Sequence, residues 1–217
     1  MLKALGIRKS YGDLEILKGI DLEILSGEVV SVVGSSGAGK TTLLQILGTL
    51  DRPDQGIVKI GDIDPFSLSS NKLAAFRNQS IGFIFQFHQL LPEFTAIENV
   101  ILPALIKGTS MSDALKQGEE LLELIGLSAR KDHRPSELSG GEQQRIAVCR
   151  SLINKPKIIF ADEPSGNLDS ANSKELHDLF FRLRDQFEQT FVIVTHNEQL
   201  ANMADRKLIM KDGRIVQ

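Results

Sequence analysis

The chain of 217 residues has one cysteine, one tyrosine and no tryptophan. A lone thiol, Cys149, excludes a disulfide within the chain, and its place in an apolar helical pattern makes it a small core residue. No apolar run approaches the ~18 residues that a membrane span needs, so the chain is not expected to cross a bilayer by itself. Charge of one sign is lacking too. The formal net charge is −3, and no run of Lys or Arg marks a nucleic-acid face, so no nucleic acid is expected as a partner. The four histidines, His88, His133, His177 and His196, lack metal-ligand spacing. The opening Met1-Leu2-Lys3-Ala4 lacks the apolar stretch of a signal peptide, which predicts a protein that stays in the cytoplasm. What remains is ordinary for a globular protein: 41% hydrophobic and 24% charged residues, in a length that suits one large domain or a core with a subdomain.

The most informative stretch is Gly34-Ser35-Ser36-Gly37-Ala38-Gly39-Lys40-Thr41. It fits the P-loop pattern G-x-x-x-x-G-K-[ST]. The apolar run Val29 to Val33 before it reads as a buried parallel strand, and Thr42 to Leu47 after it as the first turns of a helix. Glycines let successive backbone N–H groups turn inward, and the helix N-terminus adds partial positive charge. Lys40 is suited to the outer phosphates of a nucleoside triphosphate and Thr41 to Mg²⁺.

Residues 2–25 alternate apolar and polar positions and predict antiparallel strands. Tyr11-Gly12-Asp13 reads as the turn between the first two, with Tyr11 an ordinary turn aromatic unless it stacks on a base. Ile57 to Ile60 predicts a strand, 70–78 a helix, and Ile81 to Phe85 a buried strand with Gln86 at its carboxyl end. Ligands of open α/β sheets gather there. From 87 to 155 helical patterns take over. Thr95 with Glu98 makes a capping box. Pro103 is expected to kink or end that helix, and Ser112 with Asp113 to begin the next. Phe87 to Phe94 is apolar for a loop, either core of the helical region or an exposed surface for another protein.

Ser139 with Glu142 makes a second capping box in Leu138-Ser139-Gly140-Gly141-Glu142-Gln143-Gln144-Arg145. The two glycines after the cap predict bare N–H groups at the helix entrance, a second anion site that invites sharing between two copies. Ile158 to Ala161 is an apolar strand ending in Asp162 and Glu163, the Walker-B arrangement: Asp162 for the metal, Glu163 for the attacking water. Ser165 to Asp169 is a polar turn, and 172–187 a charged helix. Phe191 to Thr195 is a strand followed by His196, either a loop histidine or a group that helps position the water. Lys207 to Met210, Asp212-Gly213 and Ile215-Val216 predict a hairpin.

The P-loop, Gln86, the LSGGE stretch, the Asp162-Glu163 pair, Asp169 and His196 occur in the order seen in ABC-transporter ATPases, and the resemblance covers essentially the whole chain. It implies a single domain over 1–217 of α/β class: a P-loop, RecA-like core (1–86 and 156–217) with an N-terminal antiparallel β region, and a helical subdomain (87–155). It implies ATP and Mg²⁺ as cofactors. By the resemblance, Lys40, Glu163 and His196 are catalytic, and Thr41, Gln86 and Asp162 serve the metal. Tyr11, Gly34, Ser35, Ser36, Gly37, Ala38, Gly39, Thr42, Ser139, Gly140, Gly141 and Asp169 join Lys40, Thr41 and Gln86 around nucleotide. It also implies a head-to-tail homodimer with two ATPs sandwiched, and permease subunits at the cytoplasmic face of the cell membrane. The segment Phe85 to Val100 is similar to that of lipoprotein-releasing ATPases of the LolD type. Ser165 stands where that group usually has Thr, and Glu142 where many ABC proteins have Gln. Macrolide-exporter-like and cell-division complexes are the alternatives, and a soluble ATPase acting on DNA or ribosomes is a more distant one.

Overall fold

The computed structural model describes residues 1–216; Gln217 lies outside the described residues. Two sheets carry the fold. Strands β1 (Leu2–Tyr11), β2 (Leu14–Ile24) and β4 (Gln55–Ile60) form an antiparallel sheet in the order β2-β1-β4. The larger sheet runs β5-β6-β7-β3-β8-β9, from β5 (Ile81–Phe85), β6 (Ile158–Asp162), β7 (Thr190–Val194), β3 (Val29–Gly34), β8 (Arg206–Lys211) and β9 (Arg214–Ile215). Its strands pair in parallel except β9, which returns antiparallel through the Asp212-Gly213 turn.

The near-continuous apolar strands are explained by burial on both faces. Strand period 2 splits each strand between two cores. Val30, Val32, Phe160, Val192 and Val194 face a core shared with the antiparallel sheet and α1 (Lys40–Leu47). Val29, Ile159, Ala161, Phe191 and Ile193 face another, filled by Leu176, Leu179, Phe180 and Leu183 of α6 (Ser170–Phe187) and Val148 of α5 (Gly140–Leu152). A third cluster joins α3 (Ala96–Lys107), α4 (Met111–Leu124) and α5, with Cys149 fully buried in it. The Cys149 thiol donates to the Leu121 carbonyl at 3.4 Å, and burial pushes its pKa up.

The helix bounds refine the expectations. Of the two outcomes expected at Pro103, a kink or an end, the helix does not end: α3 continues to Lys107. The Pro103 carbonyl accepts from Asn78 Nδ2 at 3.1 Å and Asn154 Nδ2 at 3.0 Å, which ties the proline to neighbouring elements. Ser112 and Asp113 lie in the first turn of α4, as expected, and its cap is Ser110, whose hydroxyl accepts from the Asp113 amide at 3.1 Å. Helix 70–78 extends as α2 (Ser70–Ser80), and a short α7 (Glu198–Met203), capped by Asn197, follows β7.

Candidate active site

Sheet register assembles the site. Phe85 pairs with Asp162 and Asp162 with Val194, while Val194 pairs with Val32 of β3. The carboxyl ends of β5, β6, β7 and β3 are therefore level. The residues that follow them, Gln86, Glu163, His196 and the glycine loop, are brought to one edge although they lie far apart in sequence.

The glycine loop is shaped by its neighbours. A Cβ on Gly34 would lie 2.3 Å from the Met210 carbonyl oxygen, so only glycine fits against β8. Gly37 and Gly39 turn the loop with φ of +78° and +97°. Helix α1 starts with no side-chain cap and no acidic residue in its first turn. Its first N–H groups are left for a ligand, which suits an anion. Lys40 Nζ donates to the carbonyls of Gly34 and Ser35, both at 2.9 Å. An ammonium has three protons, so one remains for a phosphate. Ser35, Ser36 and Gly37 are exposed, whereas Ala38 is buried and its carbonyl accepts from the Gly213 amide at 3.2 Å. Glycine cradle, uncapped helix start and free lysine proton together fit a triphosphate.

Thr41 Oγ1 donates to Asp162 Oδ1 at 3.4 Å, at the mouth of the loop. Burial raises the Asp162 carboxyl above its ordinary pKa; the Glu163 charge adds to this, and the Thr41 hydrogen bond and Lys40 oppose it. A hydroxyl beside a desolvated carboxylate is an oxygen donor set suited to Mg²⁺.

Glu163 has φ of +47°. For a residue with a Cβ this conformation costs on the order of 1 kcal/mol or more and needs fixed surroundings. They are present. The Glu163 amide donates to the Val194 carbonyl at 2.9 Å, and the Glu163 carbonyl accepts from the Gly166 amide at 3.0 Å. Its Oε2 accepts from the His196 amide at 3.2 Å and lies 2.8 Å from His196 Nδ1.

Gln86 Nε2 donates to Asn167 Oδ1 at 3.1 Å, and Asn167 Nδ2 reaches back to the Gln86 carbonyl at 3.4 Å. Asp169 caps α6: its Oδ1 accepts from the Asn172 amide at 2.9 Å and its Oδ2 from Asn172 Nδ2 at 2.7 Å. These bonds, the backbone one first, hold its carboxyl below the ordinary range. Asn167 and Asn172 were not singled out in sequence. The spacing of Asp169 and Asn172, a cap and its third helical residue, is the signal that locates the second.

The start of α5 departs from the expected pair of bare glycines. Gly140 is exposed, but Gly141 is buried, and a Cβ on it would lie 2.0 Å from Asn172 Oδ1. Gly141 is a close-packing position against α6. The capping box is present: the Glu142 amide donates to Ser139 Oγ at 3.2 Å and the Ser139 amide to Glu142 Oε2 at 2.8 Å. Arg130 Nε donates to Glu142 Oε1 at 3.0 Å. The Ser139 amide bond, and then Arg130, hold the Glu142 carboxyl below its usual value.

Tyr11 ends β1 and is half exposed. Its hydroxyl donates to Asp51 Oδ2 at 2.7 Å, and Lys9 Nζ sits 5.2 Å from the ring centroid. Thr42 lies in the first turn of α1. The Phe87 to Phe94 segment is divided. Leu90 packs on the helical cluster, whereas Phe87, Leu91 and Phe94 are exposed. Its backbone is pinned by Arg150, which donates to the carbonyls of His88 and Gln89 at 2.8 and 2.7 Å, and by Asn99, which brackets Leu91.

The chain is similar to known proteins over its whole length. The family model described as ABC transporter matches residues 17–166. The lipoprotein-releasing system ATP-binding protein LolD of Cytophaga hutchinsonii is 61% identical over 216 residues, covering 100% of this chain and 99% of that protein. LolD of Bacteroides fragilis is 59% identical, with 100% of both chains covered. Among solved structures, the dimeric ATP-binding cassette MJ0796 in a post-hydrolysis state bound to ADP and Pi aligns with a TM-score of 0.91 and 38% identity, over 100% of this chain and 97% of that one. The chain belongs to the ABC transporter family, as an ATP-binding, ATP-hydrolysing subunit of the LolD type that uses ATP and Mg²⁺.

Proposed function

We propose that this subunit drives lipoprotein release from the inner membrane, as a homodimer bound to permease subunits at the cytoplasmic face. The observation that carries the specific reading is end-to-end similarity, near 60% identity, to proteins named for lipoprotein release. No helix among the described residues is long and apolar enough to cross a membrane, so the work needs a separate membrane component.

In the proposed mechanism ATP lies against the glycine loop, with Gly34, Ser35, Ser36, Gly37, Ala38, Gly39, Lys40, Thr41 and Thr42 around its phosphates and Tyr11 against its base. Thr41, Asp162 and Gln86 would hold Mg²⁺, which would neutralise charge on the phosphates. Glu163 orients and polarises the attacking water, and His196 fixes the carboxylate that does so. Lys40 and the backbone N–H groups stabilise the charge that develops on the transferred phosphoryl group. Ser139, Gly140 and Gly141 of one copy face the ATP of the other, with Asp169 beside the interface. The core at 1–86 and 156–217 carries the chemistry, and the helical part at 87–155 carries the shared contact.

Exposed Phe87 and Leu91 stand just after Gln86, and Phe85 and Gln89, on either side of Phe87 in sequence, line a cavity of about 420 Å³ with Arg77, Pro103 and Arg150. That contiguity supports docking of a cytoplasmic permease helix here. The test is a pull-down of tagged Glu163→Gln from detergent-solubilised membranes with ATP. Recovery of lipoprotein-releasing permease subunits is expected. A macrolide-exporter-like or division-site permease would redirect the biology, and no integral membrane partner would overturn the transport reading.

A further inference from the structure

His177 lies on the buried face of α6, 3% exposed, between the apolar residues Leu176 and Leu179. Burial lowers its pKa, with the neighbouring Asp178 charge opposing, which favours the neutral ring. A neutral imidazole has a donor nitrogen and an acceptor nitrogen, and burying it in an apolar layer is costly unless it is paired. Its Nε2 is paired with Ser165 Oγ at 3.0 Å, and Ser165 is itself 7% exposed.

Ser165 stands two residues after Glu163, inside a loop made of two overlapping turns. The Gly166 amide donates to the Glu163 carbonyl at 3.0 Å, and the Leu168 amide to the Ser165 carbonyl at 3.1 Å. Ser173, one turn before His177 on α6, places its hydroxyl 3.5 Å from the Ser165 carbonyl and 3.4 Å from that of Leu168. Helix α6 therefore grips this loop with two long serine contacts and one buried histidine bond of 3.0 Å. The left-handed Glu163 and the cap Asp169 are the two ends of the gripped segment.

We propose that His177 is a positioning residue for ATP hydrolysis: its hydrogen bond to Ser165 locks the loop from Glu163 to Asp169 onto α6, and so fixes the carboxylate that orients water. This rests on the assignment of Glu163 made above. The hydrogen bond of the His177 ring goes to Ser165 and not to the glycine loop, so its loss is expected to act on turnover and leave ATP affinity alone.

The test is steady-state ATPase kinetics of the full chain. The variants are His177→Phe, which keeps the ring volume and removes the bond, His177→Gln, which keeps a polar partner for Ser165, and Ser165→Ala. The double variant His177→Phe/Ser165→Ala and Glu163→Gln are measured beside them. The expected result is a kcat about tenfold lower for His177→Phe and for Ser165→Ala, with KM for ATP within about twofold. The double variant is no slower than either single, and His177→Gln recovers most of the rate. Should either bond-breaking variant be unstable, kcat is read below its unfolding transition. A full kcat in both single variants, or single effects that multiply in the double, overturns the inference while Glu163→Gln stays strongly impaired. A fully active Glu163→Gln overturns the assignment of Glu163 itself, and this inference with it.

Discussion

Glu163 and His196 are joined twice: Oε2 of the glutamate accepts from the histidine's amide and lies 2.8 Å from its Nδ1. The side chain that would orient water is thus fixed by His196, two residues past the end of β7, and Glu163 keeps its exposed edge for the reaction. Glu163→Gln removes the charge and keeps the shape. It is expected to bind ATP normally and lower kcat by about 10²–10⁴-fold. His196→Ala removes the Nδ1 contact and leaves the amide, so a smaller loss of kcat is expected. Single-turnover hydrolysis, which separates binding from chemistry, checks both.

Lys40 spends two protons on the loop it belongs to. Lys40→Ala loses both those loop bonds and the phosphate contact. Nucleotide affinity is expected to fall by about tenfold or more, as for a lost charge-assisted hydrogen bond. Equilibrium titration with a fluorescent ATP analogue measures it, and unchanged affinity contradicts the cradle.

Asp162 gives a pH prediction with a definite sign. Burial raises its carboxyl, the Glu163 charge adds to this, and Thr41 and Lys40 oppose it. A carboxyl with its folded pKa above its unfolded one favours the folded state below the unfolded pKa of about 3.9. That contribution is lost as pH rises through the folded value, so the ionised group costs stability at neutral pH. Without nucleotide, Asp162→Asn is expected to have a higher Tm than the parent at pH 7, with the difference shrinking toward pH 4. Mg²⁺-dependent ATPase is expected to fall by about 10²-fold or more. Calorimetry at the two pH values and an ATPase assay check the two halves.

The two glycines of the LSGGE stretch are not equivalent. A Cβ on Gly140 would find only Leu168 Cδ2 at 3.8 Å, whereas on Gly141 it would strike Asn172. Gly140→Ala is expected to stay within about 0.5 kcal/mol of the parent in the free protein. Gly141→Ala must turn Asn172 away from Asp169 and costs about 1 kcal/mol through the lost hydrogen bond. Denaturant unfolding checks this, and the cost of Gly141→Ala should shrink in an Asn172→Ala background.

Leu91 is exposed while Leu90 packs into the helical cluster. Leu91→Asp is therefore the cleaner probe of permease docking. It is expected to lower permease-stimulated turnover by about tenfold, the loss of an anchor worth roughly 1.4 kcal/mol. Basal ATPase of the isolated subunit should be unchanged, and reconstitution with and without permease reads both.

Much of this molecule was determined locally. The glycine loop, the apolar strands, the two capping boxes, the Asp162-Glu163 pair and the Asp212-Gly213 hairpin are fixed by backbone freedom, strand period and short-range hydrogen bonds, so the chain alone declares them. Tertiary structure decided the rest. Pro103 stays inside α3 and ties that helix to Asn78 and Asn154, residues far from it in sequence. Gly141 is glycine because Asn172, distant in sequence, lies against it. Gln86 meets Asn167, Glu163 meets His196 and Ser165 meets His177 only once parallel register levels the strand ends and α6 lies across them. Local chemistry names the groups, but contacts between distant segments depend on sheet register and helix packing, which no short window of sequence contains.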